Sequence, residues 1–146
     1  METEGKGSRY QGRIHLLQKE LMGQYYRELT QAAEEGGPPA AYMLISGNPV
    51  ELVRAFGMLP VYPEVNALQL AVKKESLPYI LLAEQMGYSV DNCAYVKADI
   101  GLFFNGLRAP FATLPRPSLI LCNYVGCNVY LNWFEHLAEY TGATIF

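Results

Sequence analysis

Apolar residues in the first quarter of the chain recur at helical spacing. Between residues 13 and 35 they lie three or four positions apart, which predicts an amphipathic helix. The residues that carry this pattern are Ile14, Leu17, Leu21, Tyr25 and Leu29. A Gly-Gly-Pro-Pro run at 36–39 ends the predicted helix, because glycine and proline disfavour its continuation.

Beyond residue 40, short apolar runs alternate with helical patterns. The predicted strands are 41–45, 58–62, 118–122 and a last one that begins at 144–146. The predicted helices are 49–57, with Asn48 as N-cap and Pro49 at the first position, then 64–74, 77–86, 94–104 and 128–140; residues 105–117 are predicted as a loop. Such alternation predicts an α/β fold, with a mostly parallel, Rossmann-like sheet flanked by helices.

The same pattern suggests a division of the chain near residue 40. Residues 1–40 form a helix and linker, and residues 41–146 form an α/β domain. The last predicted strand has only three residues before Phe146. We therefore expect an incomplete domain, the N-terminal portion of a longer polypeptide.

Composition narrows the possible partners. Apolar residues make up 51% of the chain and charged residues only 17%. Either a large partner surface or an incomplete chain would explain this low proportion of charged residues. A net charge of −3 provides no basic field, so nucleic acid is not an expected partner. No apolar stretch has the length of a membrane span, and the polar start does not resemble a secretion signal, so we expect no membrane association and a cytoplasmic location.

Two of the three cysteines stand at predicted helix starts. Cys93 precedes the helix at 94–104 and Cys127 precedes the helix at 128–140, where free backbone N–H groups face an anionic ligand. Thiolates are soft ligands for iron–sulfur clusters or zinc. Cys122 ends an apolar strand and fits a buried, inert thiol. Because the cysteines form no C-x-x-C pair, zinc is disfavoured, and buried structural cysteines remain an alternative.

Other polar residues receive ordinary structural interpretations. His15 and His136 each lack a second histidine at ligand spacing and are expected on the surface or at a rim. Lys97 and Asp99 are expected to be solvated or to cap a helix. The chain has no phosphate-binding P-loop, no dinucleotide-binding glycine pattern and no nucleophile elbow.

Four segments resemble one enzyme family in order and separation. They are SGNPVEL at 46–52, PVYPE at 60–64, NCAYVKADIG at 92–101, and NYVGC at 123–127 continuing to NWFE at 132–135. The chain is similar here to the benzoyl-CoA reductase and 2-hydroxyacyl-CoA dehydratase family, whose dehydratase members include the 2-hydroxyglutaryl-CoA dehydratase D-component type. The likeness is strongest to the B subunits of its benzoyl-CoA reductases.

The resemblance implies an iron–sulfur enzyme. Family members bind a [4Fe-4S] cluster through three cysteines, and Cys93 and Cys127 match two of these; the third is expected beyond Phe146, so the isolated chain is expected to be inactive. The implied partners are an acyl-CoA substrate, a homologous second subunit and an ATP-dependent iron–sulfur activator protein. The resemblance implies that the activator sends a low-potential electron to this cluster. The electron then passes to the carbonyl of an aromatic or 2-hydroxy acyl-CoA thioester, which gives a ketyl-type radical anion.

Ser46, Gly47 and Asn48 follow a predicted strand, and we expect their backbone N–H groups to form part of the substrate or cluster pocket. The alternative to an enzyme subunit is a non-catalytic α/β interaction domain with buried cysteines, which would be colourless where a cluster protein is brown.

Overall fold

The computed structural model describes residues 7–44, 49–123 and 126–146, with side chains from residue 12 onward. Its elements are α1 (Gly7–Glu35), β1 (Ala40–Met43), α2 (Val50–Ala55), β2 (Leu59–Val61), α3 (Pro63–Val72), α4 (Ser76–Gln85), α5 (Ala94–Phe104), β3 (Arg108–Ala109), β4 (Ala112–Thr113), β5 (Pro117–Leu121), α6 (Asn128–Thr141) and β6 (Thr144–Ile145). The predicted α/β fold is confirmed.

Two local predictions are wrong. The segment predicted as a loop at 105–117 contains an antiparallel hairpin, in which β3 pairs with β4. Pro49 is the N-cap of α2 rather than its first helical residue, because its ψ of 72° lies outside the helical region. The predicted capping residue, Asn48, lies outside the described residues.

The main sheet has the strand order β2-β1-β5-β6, and all of its pairs are parallel. From β1 the chain passes to β2 at one side, whereas from β5 it passes to β6 at the other side. The strand order therefore reverses between β1 and β5. In open parallel sheets a crevice forms at the carboxyl ends of the strands at such a point, and ligands bind there.

Strand β1 is buried on both faces, which explains its uninterrupted apolar sequence. Tyr42 belongs to the larger core, together with Ile120 of β5 and Phe134 of α6. Ala41 and Met43 belong to a smaller core on the opposite face, under α2. The Tyr42 hydroxyl donates a hydrogen bond to the Pro115 carbonyl oxygen at 2.9 Å. Strand β1 is therefore enclosed on both faces by the two cores.

Helix α1 packs on this core through its second half. Tyr26 and Leu29 are buried, and the Tyr25 hydroxyl donates a hydrogen bond to the Pro60 carbonyl oxygen at 3.2 Å. Upstream, the apolar stripe of the helix continues in solvent at Ile14 and Leu21. In the part of the chain that the structure describes, no helix is both long and apolar enough to cross a membrane.

Helices α4 and α5 approach closely at Gly101. This glycine is buried, and a Cβ atom added there would overlap the backbone carbonyl of Tyr79. The side chain of Lys97, one turn earlier, also contacts α4: its Nζ lies 2.7 Å from Glu84 Oε1. Because α5 begins directly after Cys93, this close contact helps to fix the position of the Cys93 backbone.

We expect Gly101→Ala to destabilise the fold. The added methyl group has no space against the α4 backbone, and overpacking of this kind costs about 1–3 kcal/mol, occasionally more. Chemical denaturation monitored by circular dichroism would measure the loss. Gly12→Ala is the matched control, because nothing lies within 4 Å of a Cβ at that helical position. Equal stabilities of the two variants would contradict the predicted close packing.

Candidate functional site

Cys93 is exposed at the start of α5, where it is the N-cap residue. Its carbonyl oxygen accepts the first helical hydrogen bond, from the backbone N–H of Lys97 at 3.1 Å. Its own N–H donates to Asn92 Oδ1 at 2.8 Å. These two bonds hold the Cys93 backbone while its thiol stays accessible. The prediction that Cys93 stands at a helix start is confirmed.

Cys127 has the same place at the start of α6. It is exposed, its backbone is extended (φ −118°, ψ 108°), and it is the N-cap residue. Its carbonyl oxygen accepts a hydrogen bond from the Tyr130 N–H at 3.1 Å. The preceding Gly126 has φ of 88°, a conformation that favours glycine and turns the chain into the helix.

The two cysteines line one cleft of about 350 Å³. Its lining residues come from five segments: Leu44 after β1; Glu64, Val65 and Leu68 of α3; Cys93, Tyr95 and Val96; Cys127; and Val129, Tyr130 and Trp133 of α6. Because β1, β2 and β5 lead into all of these segments except the one that contains Cys93, the cleft lies beyond the carboxyl ends of the strands, at the reversal point of the strand order. Two thiols 34 residues apart in sequence thus share one concave surface.

The cleft is mainly apolar around the two thiols. Leu44, Val65 and Val96 supply aliphatic surface, and Glu64 is the acidic residue in the lining. Burial raises the pKa of the Tyr130 hydroxyl, so this residue remains a neutral phenol. Among the described residues, no three His, Cys, Asp or Glu side chains are grouped so that they could hold a metal ion. The described donors therefore fit part of a ligand set: two soft sulfur ligands in a mainly apolar cleft.

The remaining candidate residues lie elsewhere. Ser46, Gly47 and Asn48 are outside the described residues. Cys122 follows β5, is half-buried against the main core and does not line the cleft. Burial raises the pKa of its thiol, which disfavours the thiolate that a metal would need.

The two histidines have different surroundings. His15 is exposed on α1. His136 is half-buried, with its Nδ1 at 2.8 Å from the Tyr88 hydroxyl, which also lies 3.1 Å from the Tyr140 hydroxyl. These three side chains line a second cavity of about 390 Å³. The predicted rim position of His136 is thus next to the cysteine cleft, since the two cavities share Val96, Val129 and Trp133 as lining residues.

The prediction that Lys97 and Asp99 are solvated or cap a helix is wrong. Both are buried, at 4% and 3% exposure. Lys97 Nζ pairs with Glu84 and donates to the Val90 carbonyl oxygen at 2.6 Å. Trp133 Nε1 donates a hydrogen bond to Asp99 Oδ2 at 3.0 Å. Helical periodicity could have indicated this inward position, because Asp99 is three residues after the buried Val96.

Asp99 is electrostatically the most unusual carboxyl group described near the site. Burial raises its pKa from 3.8 to about 7, and the hydrogen bond from Trp133 partly opposes that rise. The folded protein therefore holds a proton at Asp99 over a pH range in which the unfolded chain has released it.

Fold and site together define a class: a parallel α/β domain whose switch-point crevice presents the thiols of two N-cap cysteines. The family model described as "2-hydroxyglutaryl-CoA dehydratase, D-component" matches residues 45–146. The chain belongs to this family, which confirms the family expected from the four sequence segments.

Individual relatives agree with the family assignment. The chain is 39% identical over 130 residues to the B subunit of benzoyl-CoA reductase from Thauera aromatica, covering 88% of this chain and 30% of the relative. It is 35% identical over 120 residues to the alpha subunit of (R)-2-hydroxyisocaproyl-CoA dehydratase from Clostridioides difficile, covering 82% and 29%. For the alpha subunit of (R)-phenyllactyl-CoA dehydratase from Clostridium sporogenes the identity is 30% over 122 residues, covering 79% and 30%. The chain thus spans about 30% of the length of the curated relatives it matches.

We expect Asp99→Asn to alter the pH dependence of stability. The pKa of Asp99 is higher in the folded state than in the unfolded chain, so protonation of Asp99 favours the folded state. This stabilisation is fully present below pH 4 and is lost as the pH rises to about 7, where the folded carboxyl ionises. The asparagine amide does not ionise. Between pH 5 and 8 the free energy of unfolding of the variant should therefore rise relative to that of wild type by on the order of a few kcal/mol. Urea unfolding at each pH measures this difference, with Asp91→Asn as the control for removing one negative charge. A constant difference between Asp99→Asn and wild type across this range would contradict it.

Proposed function

We propose that this chain is part of a subunit of an acyl-CoA reductase or dehydratase, and that Cys93 and Cys127 are two of the three cysteine ligands of its [4Fe-4S] cluster. The observation that carries the proposal is the shared cleft: two exposed thiols from distant segments line one crevice at the sheet edge. Family membership supports it, because the matched region, 45–146, includes both cysteines.

The two thiols suit this ligand role chemically. Thiolates are the usual protein ligands of iron–sulfur clusters. Each stands at the N-cap of a helix of more than ten residues, where free backbone N–H groups favour nearby negative charge. Two cysteines leave one protein ligand unfilled, and we propose that a cysteine outside residues 1–146 supplies it.

The described residues also shape the surroundings of the metal. The apolar walls formed by Leu44, Val65 and Val96 limit the access of water and lower the local dielectric constant. When bound, a [4Fe-4S] cluster would supply low-potential single-electron reduction. The contribution of this chain is to hold the two ligands, to exclude water and to orient a substrate against the cleft.

The proposed substrate class is an acyl-CoA thioester, because an acyl-CoA is named in all three relatives described above. The proposed partners are a homologous second subunit and an ATP-dependent iron–sulfur activator protein as the electron source. The names of the relatives, which specify a B subunit and alpha subunits, support a multi-subunit assembly. We propose a cytoplasmic location, where thiols remain reduced.

We expect Cys93→Ser and Cys127→Ser each to remove most of the bound iron from the anaerobically purified complete subunit. A serine hydroxyl is a poor substitute for a soft thiolate ligand. Cys122→Ser is the matched control, because Cys122 does not line the cleft, and it should retain the iron content and brown colour of wild type. Iron analysis and EPR of the reduced protein provide the measurement. Equal iron in all three variants would refute the ligand assignment.

Ser46, Gly47 and Asn48 are proposed to contribute backbone N–H groups to the substrate or cluster pocket. We expect the double substitution Ser46→Ala and Asn48→Ala in the complete subunit to lower turnover or to alter the EPR spectrum of the cluster. Altered side chains would change the conformation of the segment that directs these N–H groups. Wild-type turnover together with a wild-type spectrum would rule out this contribution.

A further inference from the structure

The two cysteine-bearing helices are joined by one buried hydrogen bond. Trp133 of α6 donates from Nε1 to Oδ2 of Asp99 on α5 at 3.0 Å. Both residues are nearly inaccessible to solvent, at 4% and 3% exposure. Within the described residues, this is the one side-chain hydrogen bond between α5 and α6.

The position of this bond along each helix is the same. Asp99 is six residues after Cys93, and Trp133 is six residues after Cys127. With a rise of 1.5 Å per residue, the bond lies about 9 Å along each helix from its cysteine. Equal spacing on two helices means that the bond joins them at matched depth below the two thiols.

Trp133 adds a second connection to the site, because it lines both the cysteine cleft and the neighbouring cavity that contains His136. Aromatic contacts with Tyr130 and Phe134, at ring-centroid distances of 6.3 and 5.8 Å, hold the body of the indole. The hydrogen bond to Asp99 fixes its remaining polar atom. The indole is thus held in the lining that the two cavities share, together with Val96 and Val129.

We propose that Asp99 is a positioning residue: through its hydrogen bond to Trp133 it sets the separation of the Cys93 and Cys127 thiols and holds the indole in the cleft wall. The relevance of this separation to cluster binding rests on the proposed function. The positioning itself is a property of the chain and can be measured without iron.

The chemistry of the bond predicts which substitutions preserve it. A carboxyl oxygen and an amide oxygen both accept a hydrogen bond, so Asp99→Asn can keep the contact with Trp133 Nε1. Asp99→Leu removes the acceptor and leaves a buried N–H unsatisfied, and Trp133→Phe removes the donor. Tyr42→Phe is a matched control, because it removes another buried tertiary hydrogen bond, to Pro115, that joins neither α5 nor α6.

The experiment measures the distance between nitroxide spin labels on Cys93 and Cys127 from their dipolar EPR spectrum, in the iron-free chain with Cys122→Ser. We expect Asp99→Leu and Trp133→Phe to shift and broaden the distance distribution, whereas Asp99→Asn and Tyr42→Phe retain the wild-type distribution. Trp133 is the only tryptophan in the chain, so its fluorescence provides a second readout. Acrylamide should quench it more strongly in Asp99→Leu but not in Tyr42→Phe.

Several outcomes would overturn the proposal. Unchanged distances in Asp99→Leu and Trp133→Phe would show that the bond does not position the thiols. Equal broadening in Tyr42→Phe would show general loosening of the fold. If Asp99→Leu does not fold, Trp133→Phe compared with Asp99→Asn decides the question. Iron content is measured separately, on the anaerobically purified complete subunit. Altered distances together with no iron in the wild-type complete subunit would refute the proposed function alone. Iron binding together with unaltered distances would refute the positioning role alone.

Discussion

The parallel pairing of β1 with β2 on one side and with β5 on the other is the constraint on which the rest of the structure depends. Parallel pairing directs the carboxyl ends of all three strands to one edge of the sheet, and the segments that follow them must begin there. The reversal of strand order between β1 and β5 then leaves a crevice between the following segments. Cys127 reaches this crevice because it follows β5 by only a few residues.

Cys93 reaches the same crevice by a different route. It follows α4 rather than a strand, so its position depends on how α5 packs against the neighbouring helices. The absence of a side chain at Gly101 allows close contact with α4, and the hydrogen bond between Asp99 and Trp133 connects α5 to α6. The site therefore combines one cysteine positioned by the sheet with one positioned by helix packing.

The charged residues of the described chain do not all reach the solvated surface. Two of these residues, Lys97 and Asp99, are buried in α5 and do not contribute to the solvated surface. Burying them is costly unless each has a polar partner, and Glu84 and Trp133 provide those partners. Meanwhile Ile14 and Leu21 remain exposed on the first half of α1, where the apolar stripe extends beyond the core that its second half covers.

The sequence by itself determined the order and type of the main elements, because hydrophobic periodicity, the 36–39 glycine–proline run and the helix-starting positions of Cys93 and Cys127 are local features. It also indicated the family, through four short segments in a fixed order. The hairpin of β3 and β4 was missed because its strands have two residues each, too few for a periodic signal. Only the tertiary structure decided that the two thiols share a cleft and that Asp99 is buried against Trp133, because both depend on the spatial placement of residues 34 positions apart.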